Sequence, residues 1–525
     1  MKHTNKAKQG APALDTLAKR SNVPAELQQK ANAFLNATQV DTKVLGGIVK
    51  LFAEEGYAHQ VGLMHTIEVI FKNLLKRQSV YPADEELTKP AKKSKAKAKA
   101  KLNKTLDTDP NAKCFALYNK TWSWLLQRLA GTNKEDANVA LKVAMQLIVT
   151  EAKHVKHNNG NWPKKHLSSI LGALIESETS PALALPAFEK YARCLDVLQL
   201  SYELLPQLTP ASFVETPQQA LNYLGIVNTL NLGKTVLAEQ QYHMAGSFDL
   251  ADTQKLLNIV WQGIIDRCSG VDEQVHRQVL VVLLERILPH LENPILLTDF
   301  LMDSLHQFDG PIALLALQGI FSLMQKQNIT YPDVYKKLYN MFYPRMFYNK
   351  YKARLFYLAD IFLTSTHLPE NLVAAFAKRM SRLALRSPTE DAIILIRFVC
   401  NLLLRHTGLK RLICATAAAS AVEIADPFDD TELDPVKTGA INSSLWEMVL
   451  LQKHVVPEVA NAARFVSKSL PLMEFDLGQL LEMKESDIFD DEVKKVSKQF
   501  MLAYERPKNF ALPKNDVVTQ YFDLI

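Results

Sequence analysis

Apolar residues recur every three to four positions through nearly the whole chain, the spacing of α-helices that bury one face. "LGGIVKLFAEEG" and "MHTIEVIFKNLLKR" predict amphipathic helices near 43–56 and 63–77. "FALYNKTWSWLLQRLAG" and "EDANVALKVAMQLIVTEAKH" predict a helical hairpin that turns at "GTNK". "HLSSILGALIES", "ALPAFEKYARCLDVLQLSYELL", "PQQALNYLGIVNTL", "DLADTQKLLNIVWQGIIDRC" and "VHRQVLVVLLERILPHL" continue the pattern, joined by short connections that carry Asn, Asp, Gly, Pro or Ser. Strand candidates with clean alternation are absent. Two or three short helices in about 35–45 residues is the texture of stacked helical repeats. The expected fold class is therefore all-α, a HEAT-like or armadillo-like helical solenoid, although no strict repeated motif marks its units.

The stretch 343–406 dissects most cleanly. "YKARLFYLADIFLTS" carries Leu355, Phe356, Leu358, Ile361 and Phe362. Pro369 then stands where a helix would begin. In "PENLVAAFAKRMSRLALR", Leu372, Val373, Phe376, Met380 and Leu383 fall on one face, and Lys378, Arg379, Arg382 and Arg386 on the other. "SPTED" ends that helix and is expected to cap the next with Ser or Thr ahead of Glu390 and Asp391. The following "AIILIRFVCNLLLRH" is apolar nearly all round, so it must be buried on most sides, with Arg397 the one charge to explain.

Charge changes the picture in one segment. The formal net charge is +6, but Lys89, Lys92, Lys93, Lys95, Lys97, Lys99, Lys101 and Lys104 form a run with no acid among them, and without it the chain is close to neutral. Little hydrophobic content and mutual repulsion predict a disordered lysine-rich linker there. The expected organisation is a helical segment 1–78, the linker 79–112, a helical repeat region 113–285, a second helical domain 286–466, and an acidic helix and tail 467–525. Lys92, Lys93, Lys95, Lys97, Lys99 and Lys101 read as a nuclear or nucleolar address, as a weak phosphate contact, or as a solubilising spacer. Alternating Lys and Ala cannot read base sequence, having neither stacking platforms nor planar bidentate donors.

Candidate chemistry is thin. The five cysteines lie far apart with no CxxC, which fits a reducing compartment and neither a disulfide framework nor a zinc knuckle. The N-terminus leads into no apolar core of signal-peptide type, and no run of about 18 apolar residues predicts a membrane span. "NLGKTV" lacks the second glycine of a phosphate loop, Asn228 standing in its place. His154 and His157 lie one helical turn apart with no further ligand to complete a metal site. No GxSxG, HExxH or GxGxxG is present, so neither catalytic nor cofactor-binding nor metal-ligating residues are assigned. The face Lys378, Arg379, Arg382, Arg386 is either ordinarily solvated or a contact to RNA phosphates or an acidic partner segment. The aromatics of "YPRMFYNKYKARLFY" could stack on bases, but at helical spacing they are expected mainly in the core. Trp446 reads as a buried anchor before an interface residue.

From Leu288 to Phe465 a series of longer words occurs in order: "LPHLENPILLTDFL", "IALLALQGIFSLM", "YPDVYKKLYNMF", "KYKARLFYLADIFLTSTHLPENLVAAFAKRMSRLAL", "DPFDDTELDP" and "SSLWEMVLLQKHVVPEVANAA". Together they resemble the CCAAT-binding-factor domain family of nucleolar complex proteins over about a third of the chain. That resemblance implies a non-enzymatic, α-helical scaffold in the nucleus and nucleolus, working in the small-subunit processome on small ribosomal subunit assembly and rRNA processing. It implies a protein partner of the nucleolar protein 14 class and a pre-ribosomal particle with weak or indirect rRNA contact, with no cofactor, no membrane and no small-molecule substrate. By analogy the partner groove is placed on the helices of 348–406 and the "DPFDDTELDP…SSLWEM" segment, with Phe428, Trp446 and Glu447 as its candidates. The reading set against it is a helical-repeat nuclear transport adaptor. The family name points to DNA, yet none of the DNA-reading motifs occurs.

Overall fold

The computed structural model describes residues 25–36, 41–51, 60–81, 110–154, 164–233, 249–291, 293–327, 331–414, 426–499 and 521. The fold is all-α: among these residues every regular element is a helix, and helices stack on their sequence neighbours in the manner of a HEAT-like solenoid. Most of the linker 79–112, including Lys92 to Lys101, lies outside the described residues. The chain forms two compact units, Met1–Leu323 and Met324–Ile525.

In the first unit the expected hairpin is Pro110–Ala130 against Lys134–His154, and Gln60–Lys76 packs on its second arm. Pro110 occupies the first helical position, where its missing N–H costs nothing, so the helix starts five residues before the expected Phe115. Lys164–Ile175 packs on Pro110–Ala130, Leu195–Leu208 and Pro217–Thr229, and the last two are covered in turn by Leu250–Ile265 and Glu273–Val282. The word "ALPAFEKYARCLDVLQLSYELL", in which no boundary is placed, is divided at Cys194, whose extended backbone separates Leu185–Ala192 from Leu195–Leu208.

A buried carboxyl sits inside this unit. Glu151 is 1% exposed. Tyr81 and Tyr118 donate their phenolic O–H groups to it, and His166 Nε2 lies 3.7 Å away with its ring stacked on Trp122 at 4.3 Å. Burial pushes the Glu151 carboxyl from 4.5 up to about 8. The folded state therefore holds a proton that the unfolded chain has already released above its ordinary value. The stabilising effect of that proton is complete below 4.5 and is lost as pH rises through about 8. We expect the stability of this unit to fall over that window, by no more than about 1.4 kcal/mol per pH unit, and Glu151→Gln to flatten the slope. Amide hydrogen exchange across 110–154, corrected for the intrinsic rate at each pH, checks this. Equal slopes for the two proteins would remove Glu151 as the cause.

The second unit is organised around Thr389–Arg405, which packs on Glu370–Ala384, Pro457–Ala463 and Leu477–Glu482, and is buried nearly all round as its composition requires. Phe356, Phe376 and Phe398 are fully buried, each stabilising by about 1.5–3 kcal/mol relative to exposure. Phe356 and Phe398 meet edge to face. Pro369 precedes the Glu370–Ala384 helix as expected. The expected Ser or Thr cap of the next helix is not made: Pro388 precedes it without a side-chain cap, and Ser387 Oγ instead donates back to the Ala384 carbonyl. Glu390 and Asp391 of its first turn hold Lys352 at 2.9 and 3.0 Å. Arg397 is explained by the segment that follows: its guanidinium lies 3.9 Å from the ring centre of Phe475. The Phe475 backbone is clamped by Asn401, which accepts from its N–H and donates to its carbonyl, both at 2.8 Å.

Candidate functional site

The segment 426–451 folds back onto the Glu370–Ala384 helix. Its acidic first half is a series of turns built by its own carboxylates. Asp426, Asp429 and Asp434 each accept the backbone N–H two residues on, from Phe428, Thr431 and Val436. Gly439 turns the chain with a left-handed φ of 70° into the short 3₁₀ turn Ala440–Asn442. The helix Trp446–Leu451 follows.

This return path places two carboxylates over the side of the helix that carries Lys378 and Arg382. Lys378 is 0% exposed. Its ammonium has three donors, and three acceptors meet it: the Ser444 carbonyl at 2.6 Å, Glu447 at 2.7 Å and Asp426 at 2.9 Å. Arg382 donates through Nε to Glu447 at 2.6 Å and through Nη2 to Asp426 at 2.7 Å. Asp426 also accepts from Ser443 Oγ at 2.5 Å and Trp446 Nε1 at 2.8 Å. The indole ring lies 5.2 Å from the Lys378 ammonium and 5.0 Å from the Arg382 guanidinium, and Phe428 lies 5.8 Å from the latter.

Two cations and two anions thus close a network with no net charge. Burial raises the Asp426 carboxyl, but hydrogen bonds from Ser443, Trp446 and Lys378 outweigh it and hold the group well below the usual carboxylate range. Burial pushes Glu447 up, against the opposing pull of Lys378 and Arg382. Burial likewise works against the charge on Arg382, and the bonds to Asp426 and Glu447 overcome it, so this guanidinium is raised.

The expected basic face is corrected by this geometry. Lys378 and Arg382 are spent inside the protein, because the returning segment brings acids to them. Arg379 is half-buried, donates through Nε to the Phe342 carbonyl at 2.7 Å and covers the Tyr339 ring at 4.3 Å. Only Arg386 of the row is exposed. Two groove candidates are corrected likewise: Glu447 is fully buried in the network and Phe428 is 7% exposed, packed under Arg382. Trp446 is part-exposed rather than fully buried. The partners that complete the network, Asp426, Ser443 and Ser444, were not singled out by sequence reasoning. The available signal was a pair of acids, in "DPFDD" and "SSLWEM", matching two cations a helical turn apart.

Outside the network the Trp446–Leu451 helix presents an apolar edge. Trp446, Val449 and Leu450, at positions i, i+3 and i+4, are 39%, 50% and 53% exposed, and Val455 just beyond is 94% exposed. Met448 and Leu451 of the same helix are buried. Among the described residues no cluster of three or more His, Cys, Asp or Glu could hold a metal ion, and no helix is long and apolar enough to cross a membrane.

Residues 313–463 match the model of the CBF/Mak21 family. Nucleolar complex protein 4 homolog B of Xenopus laevis is 33% identical over 423 residues, 77% of this chain and 80% of that protein. The Homo sapiens nucleolar complex protein 4 homolog is 32% identical over 375 residues, 68% of this chain and 72% of its own. The Gallus gallus homolog is 42% identical over 250 residues, about half of each chain.

Proposed function

The chain belongs to the CBF/Mak21 family and, within it, to the nucleolar complex protein 4 proteins; from that premise we propose that it is a non-enzymatic scaffold of ribosome biogenesis. It is a nuclear, nucleolar protein. Within that role it binds a partner of the nucleolar protein 14 class in the small-subunit processome and supports small-subunit assembly and rRNA processing. Family membership favours this over a transport adaptor.

The observation that carries the docking site is the exposed edge of Trp446, Val449 and Leu450. An aromatic anchor flanked by aliphatic side chains is the composition of an interface centre. The network beneath fixes its position: the Trp446 indole N–H is held by Asp426, and Glu447 of the next position is clamped by Lys378 and Arg382. The helix therefore binds without paying to become ordered. Glu447 and Phe428 support this surface from below.

Trp446→Ala and Leu450→Asp in the full chain are expected to weaken capture of the partner by tenfold or more, on the order of 2 kcal/mol for a central anchor. Leu450→Asp should keep wild-type helicity, because that side chain is solvent-facing, whereas Trp446→Ala also removes the indole bond to Asp426, so Leu450→Asp is the variant that reads the surface alone. Co-purification with the nucleolar protein 14-class partner, and co-sedimentation with pre-ribosomal particles, are the measurements. Undiminished capture by both variants would place the interface elsewhere.

A further inference from the structure

We infer that the strip of tyrosines and cations between residues 343 and 357 is a contact surface for single-stranded RNA. It uses none of Trp446, Val449 and Leu450, the edge proposed above for the protein partner, so the two readings stand or fall separately.

The aromatics of "YPRMFYNKYKARLFY" divide by chemistry. Phe347 and Phe356 point into the core, 6% and 0% exposed. Tyr348 and Tyr357 point out, 84% and 63% exposed, with Tyr343 at 37%. The exposed cations Arg345, Lys350 and Arg354 alternate with them along the chain. Lys350, Arg354 and Tyr357 fall at i, i+4 and i+7 on the outward side of the turn and of the helix Lys352–Phe362, with only the small Ala353 between.

No Asp or Glu lies between Asp333 and Asp360. Three acids near this segment are already paired, while Asp429 and Asp430 lie close to Tyr339, before the strip begins. Lys352 takes Glu390 and Asp391 at 2.9 and 3.0 Å, and Arg405 takes Asp360 at 2.7 Å. Arg345 and Lys350 make no ion pair among the described residues. Arg345 and Lys350 therefore keep their charges unspent, unlike Lys378 and Arg382, which have lost theirs to Asp426 and Glu447.

The backbone beneath is held in place. Turn bonds run from Met346 N–H to the Tyr343 carbonyl (3.0 Å), Asn349 to Met346 (3.1 Å), Lys352 to Asn349 (3.2 Å) and Leu355 to Tyr351 (3.1 Å). Fully buried Met346, Leu355 and Phe356 anchor it from inside. The rings are presented before any ligand arrives, so ordering them on binding costs little.

Exposed aromatic faces interleaved with Arg and Lys match unpaired bases on a phosphate backbone, where stacking and charge act together. A duplex hides its base faces and would use only the cations. Protein interfaces also enrich Tyr and Arg, so the arms of the test below separate a protein partner from RNA.

The test is binding of the full chain to unstructured oligouridine as salt is varied over about 50 to 200 mM. Tyr348→Ala with Tyr357→Ala is expected to weaken binding about tenfold at unchanged salt dependence, because stacking carries no charge. Tyr348→Phe with Tyr357→Phe should restore it. Arg345→Glu with Lys350→Glu should weaken binding and lower the slope of log affinity on log salt by about 1.4 or more, because two phosphates are no longer neutralised. Photo-crosslinks should map to 343–357. The lysine run at 89–104 contributes equally to every variant and drops out of the comparison. Binding by the tyrosine variant within about twofold of wild type, or crosslinks confined to the lysine run, would overturn the inference. So would strip variants that keep RNA affinity while losing an acidic peptide, which would assign the strip to a protein.

Discussion

Lys378→Ala is expected to destabilise the second unit by about 3–5 kcal/mol, the cost of leaving a buried charge without its partner. Three acceptors converge on this ammonium, and all three lose it together. Asp426 retains Arg382, Ser443 and Trp446. Glu447 is worse placed, because it is fully buried and keeps Arg382 as its one charged partner, beside its own backbone N–H. The Ser444 carbonyl loses its 2.6 Å donor. Replacing both ends of the central pair, Lys378→Met with Glu447→Leu, is expected to cost clearly less than Lys378→Ala alone. No unpaired charge then remains, and the Arg382–Asp426 contact survives. Since the chain has two units, a global unfolding curve is not the measure. Amide hydrogen exchange across 370–384 and 440–451 reads the loss where it occurs. A single variant within about 1 kcal/mol of wild type would mean that water enters and solvates Glu447, and the network would not be the clamp described.

The helical architecture was legible because it rests on local periodicity. Leu372, Val373, Phe376, Met380 and Leu383 announce one buried face, and the all-round apolar helix at 389–405 announces its own central place. The chemistry of the opposite face was not legible in the same way. Lys378 and Arg382 read as solvated on a helical wheel because the wheel knows nothing of what returns 44–69 residues later to cover them. The small residues Ala374, Ala375 and Ala377 were the local hint, since they let another segment approach the helix closely. The helix break at Cys194 was missed because both flanks keep the same apolar rhythm. The aromatics of "YPRMFYNKYKARLFY" were weighed toward the core on their helical spacing, yet the phenylalanines fill that core and leave Tyr348 and Tyr357 outside.

Gly439→Ala is expected to lower the local stability of 426–451 by on the order of 3 kcal/mol, with Trp446 and the cations untouched. Two costs combine. The φ of 70° is left-handed, which costs an L-residue about 1–2 kcal/mol. A Cβ there would also stand 2.6 Å from the Pro427 carbonyl oxygen, a backbone atom that cannot swing aside as a side chain can. Relief requires the two limbs of the loop to part, against the bond from Asp429 N–H to the Thr438 carbonyl and the one from Ser443 to Asp426. Gly270→Ala is the matched control, with a φ of 74° and nothing within 4 Å of an added Cβ. The excess loss in Gly439→Ala over Gly270→Ala, each read by hydrogen exchange in its own segment, isolates the carbonyl contact. Equal losses would show that the limbs part freely. In that event Asp426 would not be held over Lys378 by the shape of the loop, and the edge of Trp446, Val449 and Leu450 would have to draw its rigidity from the ion pairs alone. An excess loss accompanied by weaker partner capture would tie the turn at Gly439 to the surface it supports.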